Sequence, residues 1–346
     1  MMSIYFFAIF ISFLINATLI IPFINFLYKI KFQRAKQKTR DIFNVSTPIF
    51  DKLNKDKAGR PVGGGILTVS TTVVLYGLFL FLFVVFERPI LSNYPLMASE
   101  IKIILFSFIS FGLLGIYDDL NKMFFWKKNK FFGLRLRHKL ILEIILALII
   151  SWWLFNDLKI SIIHIPFFGV FDISYFYILM STFIIVAFAN AVNIADGLDG
   201  LASGVLLISL IGFWVIASSI FDVPTLMFIA VWLGGIIAFL YFNIYPARLF
   251  LGDTGALSFG AAFAVIGLVL GKPFALAIMG GVFVIEILSS LIQLAGKRFL
   301  KKKIFPVAPL HLWLRYRNWE EPKIVMRFWV ISILFVVIGL MIAFLK

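Results

Sequence analysis

Ten runs of apolar residues, most of them about 20 long, constrain this chain more than any other feature. They fall at roughly 3–28, 66–86, 100–117, 139–156, 174–192, 203–220, 225–242, 255–271, 273–295 and 324–345. About 20 apolar residues in a helix cross the hydrocarbon core of a bilayer. Within that core every backbone N–H and C=O must bond inside the protein, so only helices and closed barrels span it. A barrel shows strands of alternating apolar and polar residues, about ten long, and that pattern is missing. The expected fold is an all-α, polytopic transmembrane bundle of about ten spans, one domain over residues 1–346. Composition agrees: charged residues make up 14% of the chain, against about 25% in soluble domains. The first apolar run lacks a basic lead and a cleavage-like site, so it is expected to stay as a span. With no cysteine, thiolate nucleophiles, disulfides and Cys-bound zinc are excluded.

The net charge of +15 would suggest nucleic acid on a soluble chain, but its distribution argues otherwise. All but five of the 32 lysines and arginines follow spans 1, 3, 5, 7 and 9; the exceptions are Arg88, Lys102, Lys159, Lys272 and Lys346. The positive-inside rule then puts the odd-numbered loops in the cytoplasm and both termini outside. Most of the basic runs, "KIKFQRAKQKTR" and "KRFLKKK" among them, read as topology signals that also attract anionic headgroups. No nucleic-acid partner is expected.

The dense polar groups fall on the same side. Asp118 and Asp119 end span 3 in "GIYDDL"; Asn193, Asp196 and Asp199 follow span 5 in "NIADGLDGLASG". Asn243 and Asp253 lie between spans 7 and 8 in "FNIYPARLFLGDTGALSFG", and His311 lies between spans 9 and 10 in "APLHLWLR". Aspartates gathered there repel one another unless a cation stands among them. Oxygen-only ligands suit Mg²⁺, which takes one or two carboxylates and completes its shell with water and substrate phosphates. Lys57 and Lys139 are placed to neutralise phosphate oxygens. The glycines flanking Asp253, where a helix begins, offer free N–H groups to a phosphate, and "AGRPVGGGI" before span 2 does so more weakly.

Taken singly, each cluster also has a plain structural explanation. An Asp pair can end a helix in solvent, a Gly-rich stretch can be a turn, Asp253 can cap span 8, and His311 can sit at the interface. Glu143 and Glu286 lie within or beside spans, where pairing with a basic group inside the bundle is the alternative to a function. These explanations do not account for every cluster falling on one side of the membrane.

From about Lys57 to the C-terminus the motifs resemble the polyprenyl-phosphate N-acetylhexosamine-1-phosphate transferases. The run "EPKIVMRFW" (321–329) after a Pro-x-His element is closest to the phospho-N-acetylmuramoyl-pentapeptide branch. The resemblance implies Mg²⁺-dependent transfer of a phospho-sugar from a UDP-linked amino sugar to undecaprenyl phosphate, with release of UMP. In the closest branch the product is lipid I of peptidoglycan synthesis, made at the cytoplasmic face of the bacterial inner membrane. It further implies that Asp253 ligates Mg²⁺, that Asp118 and Asp119 are the family's Asp pair, and that Asp118, the first of them, deprotonates the lipid phosphate or attacks directly. Asn193, Asp196, Asp199, Asn243 and Phe250 would lie around the uridine and active site, Lys57 and Lys139 would line the same cleft, and His311 would be the first histidine of a His-rich loop. A homodimer is implied by the resemblance alone.

The chain departs from that branch in three places. His311-Leu312-Trp313 stands where three histidines are usual, "GRPVGGG" where Thr-Pro-Thr-Met-Gly-Gly is usual, and Arg315 where an acid is common. A transferase acting on UDP-N-acetylglucosamine or another UDP-hexosamine is therefore the alternative within the class. An ion-coupled transporter would need its ionisable groups near the bilayer midplane, whereas here they sit at span ends. A catalytically dead scaffold would have no use for the six retained polar positions, Asp118, Asp119, Asn193, Asp196, Asp199 and Asp253, while the altered His311 loop leaves that reading open.

Overall fold

The computed structural model describes residues 2–33, 48–53, 57–125 and 136–345. Much of the basic sequence in the loops after spans 1 and 3 lies outside these residues. The helices are α1 (Met2–Lys29), α2 (Pro48–Leu53), α3 (Gly64–Val85), α4 (Met97–Leu120), α5 (Leu136–Asn156), α6 (Phe176–Ala195), α7 (Leu201–Ser219), α8 (Val223–Asn243), α9 (Gly252–Val269), α10 (Pro273–Met279), α11 (Gly281–Phe299), α12 (Leu310–Tyr316) and α13 (Glu321–Phe344). A π-helical turn, Asn121–Phe125, extends α4. Among the described residues, nine helices are long and apolar enough to cross a membrane, and α10 with α11 makes a tenth, broken span. The expected membrane-integral helical bundle is the fold observed.

The bundle is built around α8 and α9. Their spanning windows are 94% and 100% buried, against 28% for α1 and 33% for α3, α5 and α13. The outer helices turn side chains such as Phe6, Phe10, Val74 and Val330 outward, as lipid contact requires. Lipid tails are as apolar as leucine, so close packing and interhelical hydrogen bonds hold the helices together. The ring of Phe108 (α4) stacks on Phe259 (α9) at 5.9 Å, and Trp232 (α8) meets Phe259 edge-on at 5.2 Å. Ser258 Oγ donates to the Phe108 carbonyl at 2.6 Å, and Ser12 Oγ to that of Val231 at 2.6 Å.

Two crossings set the position of the site. A Cβ built on Gly65 would fall 2.2 Å from the Gly255 nitrogen, and one on Gly115 would fall 2.4 Å from the Asp253 carbonyl oxygen. Only glycine lets α3 and α4 lie backbone against backbone with the start of α9, the small-residue packing typical of membrane helices.

Three differences from the sequence reading have clear causes. The ninth run, expected as one span over 273–295, is bent by 78° between α10 and α11. The Gly280–Gly281 pair sits at the bend, where a Cβ would meet the Phe188 ring at 2.5 Å or the Phe335 ring at 2.8 Å; glycine pairs are a recognised origin of helix kinks. A two-stranded antiparallel hairpin, β1 (Ile162–Ile165) with β2 (Gly169–Asp172), joins α5 to α6. Finally, α4, α5, α6 and α9 run about three residues further than their apolar runs, because the polar residues at that end remain helical.

Candidate active site

At one end of the bundle the extensions of α4, α5, α6 and α9 meet. Asp118, in the last turn of α4, and Asp253, the second residue of α9, share two ammonium groups. Lys122 Nζ lies 3.1 Å from Asp118 Oδ2 and 2.7 Å from Asp253 Oδ1. Lys139 Nζ, at the start of α5, lies 3.2 Å from Asp118 Oδ2 and 2.6 Å from Asp253 Oδ2. Asn193, in the last turn of α6, points its amide at Asp253 Oδ2 from 3.5 Å. Two largely buried carboxylates this close repel each other in a low dielectric, and the two lysines supply the opposing charge. Removing one member of such a buried set leaves an uncompensated charge.

Asp119 has a different position. Its Oδ1 accepts from the Asp253 N–H at 3.1 Å, and its Oδ2 accepts from the Thr254 N–H at 3.0 Å and the Thr254 hydroxyl at 2.8 Å. It therefore satisfies the first turn of α9 from a neighbouring helix. Asp253 does not cap α9, whose N-cap position is Leu251. The same bonds occupy two of the N–H groups at the start of α9, those of Asp253 and Thr254, where a phosphate was expected. The weaker candidate seat is filled as well, because the N–H groups of Gly63 and Gly64 donate to the Phe250 carbonyl and that of Gly65 to the Leu251 carbonyl. Both glycine-rich stretches tie the loops to each other.

A second cluster adjoins the first through the turn after α6. Lys57 Nζ lies 3.0 Å from Asp199 Oδ1 and 2.9 Å from Glu321 Oε1, and donates to the Gly197 carbonyl at 2.8 Å. Asp199 Oδ2 also accepts from the Ala247 N–H at 2.9 Å and faces Arg60 Nη1 at 3.3 Å. Glu321 Oε1 further accepts from the Asp199 N–H at 2.7 Å, and its Oε2 pairs with Arg315 at 3.0 Å. The Phe250 ring centre lies 5.8 Å from Lys57 Nζ. Asp196, at the C-cap of α6, lies between the clusters. Burial lifts its carboxyl well above the usual carboxylate range; Lys57 opposes this, while Asp253, Asp119 and Asp199 add to it.

Asn243 closes the floor of this end. Its Oδ1 accepts from the Gly200 N–H at 3.1 Å and the Ser203 hydroxyl at 2.8 Å, and its amide donates to the Leu249 carbonyl at 3.0 Å. Those bonds hold the two motif loops together. His311, in α12, is fully buried beside Gly197. The structure thus brings all eleven of the sequence-derived candidates to one end of the bundle.

Four contributors escaped the sequence reading. Lys122 stands four residues after Asp118, the spacing of a helical ion pair, but it was absorbed into a basic run. Glu321 precedes the proline that opens α13, and Arg60 sits in the Gly-rich approach to α3. Glu286, which contacts the His311 ring and backbone N–H from α11, lies among apolar residues with nothing nearby in sequence to mark that partner.

Among the described residues, no three histidine, aspartate or glutamate side chains are grouped so as to hold a metal ion alone. That donor set fits Mg²⁺ bound by one or two carboxylates plus phosphate oxygens, and does not fit a metal held in a cage of protein ligands. The two ammonium groups on Asp118 and Asp253 show that positive charge is needed at that point.

The sequence profile described as Glycosyl transferase family 4 matches residues 101–271. The chain is 36% identical to a phospho-N-acetylmuramoyl-pentapeptide-transferase of Caldanaerobacter subterraneus subsp. tengcongensis over 313 residues, 90% of each protein. It is 34% identical to the protein of that name from Clostridium perfringens over 330 residues, 95% of this chain and 93% of the relative. With that of Rickettsia canadensis the identity is 36% over 343 residues, 93% of this chain and 90% of the relative.

Proposed function

The chain belongs to the phospho-N-acetylmuramoyl-pentapeptide-transferase family of membrane-integral enzymes, within glycosyl transferase family 4, and we propose that it makes lipid I. In this reading it transfers phospho-N-acetylmuramoyl-pentapeptide from its UDP conjugate to undecaprenyl phosphate. An oxygen of the lipid phosphate forms a bond to the sugar-linked phosphorus, the bond from that phosphorus to the UMP oxygen breaks, and UMP leaves with the electron pair. The face carrying the site is cytoplasmic, with both termini outside and the protein in the bacterial inner membrane.

The observation that carries the proposal is the shared pairing of Lys122 and Lys139 with Asp118 and Asp253. Both substrates are anions, and phosphoryl transfer depends mainly on positioning and on opposing their charge. The carboxylates of Asp253 and Asp118 would hold Mg²⁺, which screens the donor diphosphate and the charge developing on UMP. Lys122 and Lys139 then turn from the carboxylates to phosphate oxygens. Asn193 orients the Asp253 carboxylate. Lys57, held by Asp199 and Glu321, faces the donor with Phe250 beside it. Asp118 orients the lipid phosphate; that group already ionises near neutrality, so positioning contributes more than proton removal.

The test is to incubate the purified protein with undecaprenyl phosphate and labelled UDP-N-acetylmuramoyl-pentapeptide, with and without Mg²⁺, and to measure UMP and lipid product. Mg²⁺-dependent formation of both is expected; no product with this donor refutes the proposal. The changed His311-Leu312-Trp313 loop favours a second reading, in which UDP-N-acetylglucosamine or another UDP-hexosamine is the donor. Product from that donor alone would establish it.

A further inference from the structure

Glu286 is a buried carboxylate to which the transfer described above gives no task. It lies on α11 with no exposed surface, and a carboxylate among membrane helices is costly unless it is bonded. Both of its oxygens face His311. Oε1 accepts from the His311 backbone N–H at 3.1 Å, and Oε2 lies 2.9 Å from Nδ1. One turn on, Ser289 Oγ accepts from the Leu310 N–H at 3.1 Å. Thus α11 grips the first turn of α12 at two successive residues.

The contact between Oε2 and Nδ1 is satisfied when the carboxylate oxygen accepts and Nδ1 carries the ring proton. The other ring nitrogen, Nε2, points away from Glu286 toward the turn that carries Asp196. A Cβ built on Gly197 would fall 2.3 Å from Nε2, so only glycine leaves room for the ring. The Gly197 carbonyl is in turn held by Lys57 at 2.8 Å. Among the described residues Nε2 makes no hydrogen bond to protein.

We propose that Glu286 is a positioning residue: it locks His311 in the Nδ1–H tautomer and aims Nε2, as an acceptor, past Gly197 into the cleft. There Nε2 accepts a hydrogen bond from a hydroxyl or amide of the bound donor. The proposal rests on the reading that this end of the bundle is the transfer site. Glutamine at position 286 has a single oxygen. The His311 backbone N–H cannot change its demand for an acceptor and would keep that oxygen. The amide NH₂ would then face Nδ1, which must become an acceptor, and the ring proton must move to Nε2. Glu286→Gln therefore inverts the tautomer with little change in volume.

The chain has three histidines, His138, His164 and His311, so ¹⁵N-histidine NMR resolves each ring. The His311 signal is assigned by its loss in His311→Gln. The wild type is expected to show the Nδ1–H tautomer and Glu286→Gln the Nε2–H tautomer. In the transfer assay Glu286→Gln should raise the donor KM and lower kcat, by about 10–100-fold together in kcat/KM, the range for such orienting partners. Glu286→Asp, which keeps a pure acceptor, should retain the tautomer and recover part of kcat/KM. An Nε2–H ring in the wild type overturns the proposal. So does an unchanged tautomer in Glu286→Gln, or an inverted one with unchanged kcat/KM. If Glu286→Gln does not fold, the wild-type and Glu286→Asp spectra still decide. Should the NMR result hold while no donor reacts, the assignment of the reaction fails and the orientation of His311 by Glu286 stands.

Discussion

Replacing Asp119 by asparagine separates its role from that of its neighbour Asp118. Asp119 accepts three hydrogen bonds from the first turn of α9, one on Oδ1 and two on Oδ2. Asparagine keeps one oxygen, which can hold the two Thr254 donors. The Asp253 N–H then faces an NH₂ group and is left buried without an acceptor, at a cost of about 1–3 kcal/mol. Losing a negative charge at a helix N-terminus costs about 0.3–1 kcal/mol more. The folded state should therefore lose about 1–4 kcal/mol, seen as a lower unfolding midpoint in detergent. In Asp118→Asn transfer should fall per folded molecule as well as stability, because the change leaves Lys122 and Lys139 facing Asp253 alone. The assay is a melting curve for each purified variant, paired with transfer kinetics normalised to folded protein. An unshifted midpoint for Asp119→Asn together with a kcat down about 100-fold or more, equivalent to about 2.7 kcal/mol or more in the barrier, would place Asp119 in the chemistry and refute this reasoning.

Other substitutions test the remaining parts. Asp253→Ala should abolish transfer, and saturating Mg²⁺ should not restore it; retained turnover contradicts Asp253 as the metal-holding carboxylate. Lys139→Met should weaken donor binding by one charge-assisted bond, about 1.5–3 kcal/mol or roughly 10–150-fold in KM, and an unchanged KM would remove the lysine from the phosphate. Asn243→Ala leaves the Gly200 N–H and the Leu249 carbonyl without their partner, so stability should fall by about 1–3 kcal/mol for each group while KM per folded molecule holds. Because burial lifts the Asp196 carboxyl above the usual range, acidification from neutrality protonates it before an ordinary aspartate. Transfer should fall on that acid limb, and Asp196→Asn should erase the limb; an unchanged limb assigns it to another group.

The spans were legible because hydrocarbon leaves a chain little choice, and apolar length reports it directly. Their ends were not, since Asp118, Asn193 and Asp253 interrupt the hydropathy while the helix continues through them. The clustering at one end followed from alternating loops and basic residues. What sequence spacing could not separate was the work of adjacent acids: Asp118 faces two lysines, whereas Asp119, one residue on and rotated about 100° around the helix, faces the start of α9. The same limit hid Glu321 and Glu286, whose partners lie far along the chain. The bend at Gly280–Gly281 was hidden for a different reason, because an apolar run reads the same whether the helix is straight or broken.

The central claim is that the carboxylates of Asp118 and Asp253 exchange their two lysines for a metal when the donor binds. A structure of the protein with Mg²⁺ and its UDP-sugar tests this most directly. It should place Mg²⁺ at about 2.0–2.1 Å from an Asp253 oxygen, with Lys122 and Lys139 moved onto phosphate oxygens. Lysines still paired with both aspartates, and a diphosphate bound elsewhere, would contradict it.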